Sequence, residues 1–296
     1  MRIQTLLPAL LVLILLGAAA TWLAGSSLIA VRRQQVGPAP WPQAQPVSLA
    51  AGADARAEGW FLEGAGRAAV LLLHGIGSDR RSMLARARFL HAQGYAVLLV
   101  DLPGQGESLA PAVTFGLREA EGVRTALEWL RRQAPGQKIG VIGTSLGAAS
   151  LVLCRDCPPV DAVVLESMYP TIEEAVEDRL RMRLGPFGKP LANLLLWQLP
   201  LRLDIAATEL HPIARLPGLK APVLIAAGSA DRHTTLPETM RLFAAAREPK
   251  SLWVVEGAEH VDLHEYAPAE YERRIGEFLA LHLAGNALAG QALANP

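Results

Sequence analysis

The chain has 296 residues, enough for one large domain with an appendage or at most two domains. Apolar residues make up 51% and charged residues 19%, which argues against a disordered chain and leaves ample material for a core. The 28 basic and 28 acidic residues balance, and the Arg pairs at 32–33, 80–81 and 131–132 form no stripe, so nucleic acid is not an expected partner.

Taken in chain order, residues 6–31 carry no charged side chain, and about 20 apolar residues suffice to cross a bilayer as a helix. The run exceeds the roughly 7–15 residues of a secretory apolar core, which favours a single N-terminal membrane helix through residues 6–31. Two alternatives stay open. Ala18-Ala19-Ala20 offers a cleavage site that would leave a secreted or periplasmic protein, and the run could instead be a buried helix. Arg2 precedes the span and Arg32 and Arg33 follow it, a slight bias toward a cytoplasmic domain. Gly37-Pro38-Ala39-Pro40-Trp41-Pro42 and Pro46 read as a stiff linker. The expected organisation is anchor or signal peptide plus linker over 1–45, a globular domain over 46–283, and a tail over 284–296.

Residues 47–50 and 59–63 read as an edge hairpin. Continuous apolar runs at 68–74 (AAVLLLH), 96–101 (AVLLVD), 138–144 (KIGVIGT), 162–167 (AVVLES), 222–228 (PVLIAAG) and 251–257 (SLWVVEG) read as strands buried on both faces. Helices are expected at 80–93, 115–134, 146–157, 236–247 and 268–283. Such alternation means a mostly parallel sheet with helices on both faces, and such sheets place ligands at the carboxyl ends of their strands. Residues 168–216 break the alternation and read as a small helical insertion over that edge. Cys154 and Cys157 form a C-x-x-C pair that lacks the two further ligands of a zinc site; two small residues near a helix end are the simplest reading, and an exported domain would allow a disulfide.

Chemistry-bearing residues come directly after the strands. Gly143-Thr144-Ser145-Leu146-Gly147 fits G-x-S-x-G between a strand and an Ala-rich helix, a turn that presents a serine hydroxyl at a helix N-terminus. Ser145 is the expected nucleophile. A serine needs a base, and among seven histidines His260 lies in the loop after the last strand, with His264 as the backup. Asp231, in GSADRH after the strand at 222–228, is the expected orienting acid, with Glu166 its rival. His233 is expected at the rim without a role. An oxyanion needs preorganised donors, and the backbone N–H groups of Leu146 and of Ile76, in His74-Gly75-Ile76-Gly77, are the candidates. Asp101, in DLPGQGES, reads as structural. The lone G-Q-G there lacks dinucleotide spacing, and His260 and His264 have no third ligand in evidence, so no cofactor and no metal are expected.

HGIG at 74–77, DLPGQGES at 101–108, GTSLG at 143–147, GSAD at 228–231 and GAEH at 257–260 stand in this order, and together they resemble the α/β-hydrolases from about Val47 to Leu283. Within that family the chain is similar to the membrane-associated Bem46 and serine-aminopeptidase-like groups. The usual glycine after the Leu-Gly of the serine motif is Ala148 here, which leaves the chemistry intact. The resemblance implies an α/β fold with a mostly parallel eight-stranded sheet and a small helical cap. It further implies hydrolysis of an ester, thioester or amide through an acyl-enzyme, with a carboxylic ester foremost and a peptide bond as rival. Acyl transfer on the same triad and a non-catalytic binding protein remain alternatives, since a fold alone does not prove activity. The apolar stretch 191–201 and the anchor suggest a small or lipid-like acyl substrate.

Overall fold

The computed structural model describes residues 3–284, so the expected tail lies outside the described residues but for its first residue. Helix α1, Ile3–Ile29, is the uncharged N-terminal run. The globular part is built on eight strands: β1 Gln45–Ala50, β2 Arg56–Leu62, β3 Ala69–Leu73, β4 Ala96–Val100, β5 Ile139–Thr144, β6 Ala162–Glu166, β7 Val223–Gly228 and β8 Lys250–Val255. They lie in the order β8-β7-β6-β5-β3-β4-β2-β1. All neighbouring pairs are parallel except those that β2 makes with β1 and β4. Connections that leave β3 toward β4 and then return past it to β5 create a switch point, where the crossover loops part and a cleft opens.

Strands β3 to β7 have no solvent-facing side, which explains their unbroken apolar runs. Along β3, Leu71 and Leu73 face one core with Val141 of β5, while Val70 and Leu72 face the other with Ile142. Helices α3 (Glu119–Gln133), α4 (Leu146–Leu153) and α7 (Leu236–Ala245) cover the first face. Helices α2 (Leu84–Ala92) and α8 (Pro268–Leu283) cover the second. Full burial of each such Val, Leu or Ile contributes about 1.5–3 kcal/mol, so the sheet supplies the bulk of the stabilisation.

Between β6 and β7 the chain forms α5 (Ile172–Leu184), α6 (Gly188–Leu196) and a short turn of helix at Leu199–Leu203. The Gly-Pro-Phe-Gly-Lys-Pro stretch is a 3-10 turn running straight into α6.

Several element boundaries differ from the sequence expectation. The helix expected from 115 starts at Glu119, because Phe115 (φ 54°) and Gly116 (φ 104°) are in the left-handed region; Glu119 turns back to accept the N–H groups of Thr114 and Gly116. The helix expected from 80 divides into a 3-10 turn, Arg80–Met83, capped by Asp79, and α2. The helix expected to 157 stops at Leu153, and Cys154 and Cys157 are joined by a disulfide. Arg32–Arg33 pair in parallel with Gln105–Gly106, a two-residue ladder that no periodicity announced.

Candidate active site

The turn from β5 into α4 holds Ser145 at φ 49°, ψ −108°. A left-handed serine costs of order 1–3 kcal/mol and persists only where its surroundings fix it. Glycines make the turn possible. A Cβ on Gly143 would sit 2.7 Å from the Ala148 nitrogen, and one on Gly147 would sit 2.5 Å from the Leu73 carbonyl. Ser145 caps the first turn of α4 without giving its side chain to it, so the hydroxyl remains available at the positive end of the helix.

At the ends of β7 and β8, Asp231 and His260 meet: the ring Nδ1 of His260 lies 2.7 Å from Asp231 Oδ2. Asp231 is itself held. The N–H groups of His233 and Thr234 donate to Oδ1 (2.8 and 3.0 Å), and the Thr234 hydroxyl donates to Oδ2 (2.8 Å). Burial pushes the Asp231 carboxyl up, but the His260 and Thr234 contacts outweigh it and keep the group below the usual aspartate range. The carboxylate form therefore fixes the proton of His260 on Nδ1 and leaves Nε2 as an acceptor. The His233 ring lies 4.9 Å from the His260 ring, centroid to centroid. Burial, then the neighbouring His260 and Arg179, lower the His233 pKa, which favours a neutral ring.

The loop after β3 is fixed by His74, fully buried, whose Nδ1 bonds the Gly75 carbonyl (2.7 Å) and whose Nε2 accepts the Leu102 N–H (3.1 Å). The Gly77 N–H is taken by Gln105 Oε1 (2.9 Å). The N–H groups of Ile76 and Leu146 find no acceptor among the described residues. Two free donors beside a serine can receive a developing oxyanion.

Ser145, Leu146, Ile76 and His233 line one cavity of about 470 Å3. His260, whose ring neighbours that of His233, is not among the residues that line the cavity. No hydrogen bond joins Ser145 to His260 in this structure among the described residues; such contacts commonly tighten only around a bound substrate. The other sequence candidates are occupied elsewhere. Glu166 is fully buried beneath the serine turn, where it pairs with Arg86 (2.7 Å) and bonds Tyr271 and Thr144. His264 bonds Glu272 (3.0 Å) and stacks on Tyr271. Asp101 anchors Arg80, which also reaches Glu107, behind the cleft.

Residues 70–274 match the model of the alpha/beta hydrolase family. The chain belongs to that family. Among relatives of this α/β-hydrolase, the uncharacterized protein Rv2307c of Mycobacterium tuberculosis is 34% identical over 212 residues, covering 70% of this chain and 69% of that one. YqkD of Bacillus subtilis is 24% identical over 216 residues, covering 71% and 70%. The solved Pyrococcus furiosus esterase Pf2001 shares the fold with a TM-score of 0.70 at 22% identity, covering 86% of this chain and 100% of its own.

Sequence reasoning missed several groups around the cleft of this α/β-hydrolase. Thr234, three residues past Asp231, was legible as an Asx-type spacing, in which a short side chain caps the following backbone. Gln105, Arg179 and the residues of α1 that reach the cavity gave no local signal, because non-local packing brings them there.

Proposed function

We propose that this protein is a serine hydrolase that cleaves a carboxylic ester through an acyl-enzyme, and that α1 anchors it to a membrane. The observation that carries the reading is Ser145, held strained at a helix N-terminus in a cavity whose wall adjoins the bonded Asp231–His260 pair. In this reading Ser145 Oγ attacks the acyl carbon as His260 Nε2 takes its proton, and Asp231 steadies the imidazolium that forms. The N–H groups of Ile76 and Leu146 hold the oxyanion. His260 then returns the proton to the leaving alcohol as the ester C–O bond breaks. A water repeats the sequence, releasing the acid and restoring the hydroxyl.

The anchor reading is supported by the composition of α1: the span Leu10–Ile29 has a mean hydropathy of 2.0, and only 6% of its most apolar stretch is buried against the rest of the protein. A fluorophosphonate probe tests the chemistry. Labelling is expected on the wild type, absent from Ser145→Ala and strongly reduced in His260→Ala. Labelling that survives Ser145→Ala assigns the nucleophile elsewhere and overturns the reading.

A further inference from the structure

The cavity next to Ser145 is walled in part by the end of α1: Ala24, Ser27 and Leu28, with Ala30 just after the helix, line it together with Phe115 of the body and Leu195 of α6. The contact between α1 and the insertion is built in detail. Gln198 donates to the Thr21 carbonyl (3.1 Å), Arg202 donates to Ser26 Oγ (2.9 Å), and the Arg202 guanidinium lies 3.7 Å from the centre of the Trp22 ring. Gly25 provides the room, since the Gln198 amide occupies the place of a side chain there. Flanking Gln198 and Arg202 in the chain, Leu194, Trp197 and Leu201 stand exposed, as does Phe187 just before α6. Isolated apolar residues on a surface are ordinary, but several on a segment that holds a helix long enough to span a bilayer fit a lipid interface.

The charged side chains that line the cavity have one sign. Arg179 of α5, Arg32 and Arg183 line it. Arg179 is half-buried, gives one hydrogen bond to the Ala175 carbonyl (2.8 Å), and has no carboxylate within 4 Å among the described residues. The nearest acids that face it, Asp231, Asp178 and Glu238, act on it from farther away, and Asp231 already serves His260 and Thr234. A partly desolvated guanidinium facing a cavity is satisfied by an anion in that cavity.

Resting on the serine-hydrolase reading above, we propose that the substrate is an anionic amphiphile drawn from the bilayer, its acyl chain lying against the last turns of α1 and its anionic group held by Arg179. Hydrolysis consumes one water and yields a fatty acid and the anionic alcohol, so no further reactant is needed. The end of α1 is then part of the substrate site as well as the anchor.

The full-length protein in phosphatidylcholine vesicles separates this from a generic esterase. The substrates are oleoyl glycerol phosphate and uncharged oleoyl glycerol, which share one acyl chain and differ by the phosphate. The expected result is a higher kcat/KM for the phosphate, with the ratio falling about ten- to a hundredfold in Arg179→Gln, as for a lost hydrogen bond to a charged group. Ser27→Trp, on an exposed position of α1, is expected to shift the preferred acyl length toward shorter esters. Equal rates on the two oleoyl esters overturn the proposal. So does a water-soluble butyryl glycerol phosphate hydrolysed as well as the vesicle-borne ester, which would place the source in solution. Fluorophosphonate labelling of Ser145 in the same samples distinguishes the failures: labelled enzyme without the anionic preference disproves the substrate class and leaves the hydrolase reading standing.

Discussion

At the scale of single residues, the centre of the candidate site is Asp231, whose two oxygens accept from His233, Thr234 and His260. Replacing it with asparagine would keep the shape but present an amide where the Nδ1 proton must be accepted. Asp231→Asn is expected to lower kcat about 10⁴-fold with little change in KM, read by ester-hydrolysis kinetics. Thr234→Val is a finer probe. Losing its hydroxyl leaves Asp231 Oδ2 to His260 alone, so kcat is expected to fall several-fold with KM unchanged, and an unaltered kcat would mean that Thr234 does not steady the acid. The candidates Ser145, Asp231 and His260 stood out in the sequence because the serine, acid and histidine motifs each sit within a few residues of a strand end, whereas Thr234 was passed over. Arg179 gave no such signal, since its helix shows an ordinary run of charges (EEAVEDRLRMR) and only tertiary packing turns Arg179 and Arg183 toward the cavity.

Among elements, the junction of α5 and α7 responds to pH. Asp178 of α5 and Glu238 of α7 are both buried, with Glu174 close by. Burial, then the neighbouring Asp178, push the Glu238 carboxyl up from 4.5 to about 7, and burial also raises Asp178. A carboxyl whose folded pKa lies above its ordinary value favours the folded state when protonated. The contribution is full below pH 4.5 and is lost as pH rises through about 7. Wild-type protein should therefore melt a few degrees lower at pH 8 than at pH 5, and Glu238→Gln should flatten the difference, as followed by thermal denaturation. The glutamine keeps an oxygen for the Thr235 N–H, so the start of α7 is preserved. A second contrast lies beneath the serine turn, where Glu166→Ala would strand buried Arg86 with Asp262 as its remaining carboxylate. The expected loss is about 3–5 kcal/mol, measured by denaturant unfolding.

The elements divide by how local their causes are. Both-face burial wrote the five strands β3 to β7 into the sequence as apolar runs, whereas β8, expected to be buried on both faces, lies at the sheet edge with half of its side chains partly exposed. The Pro and Gly stops closed several helices near where they end. The start of α3 was misread because a positive φ at Phe115 is set by its surroundings, with Tyr169 donating to its carbonyl (2.6 Å). The ladder of Arg32–Arg33 with Gln105–Gly106 joins segments far apart in sequence, which no window of residues contains.

Over the whole molecule, processing of the N-terminus has a direct test. If α1 is retained as the anchor, the protein isolated from its host carries its N-terminal residues, resists carbonate extraction and pellets with membranes. A mature chain that begins at Thr21 would overturn that expectation. The segment between α1 and β1 governs how the body is carried. Residues 32–33 pair with 105–106, Val36 and Gly37 donate to Glu107 (3.0 and 3.1 Å), and Trp41 in the proline stretch packs on the core. If α1 spans a bilayer, a body welded to it in this way has no swivel. Its mouth would ride at constant height and tilt over the leaflet, so lateral diffusion of lipid, and not tumbling of the protein, would set how often a substrate arrives facing the right way.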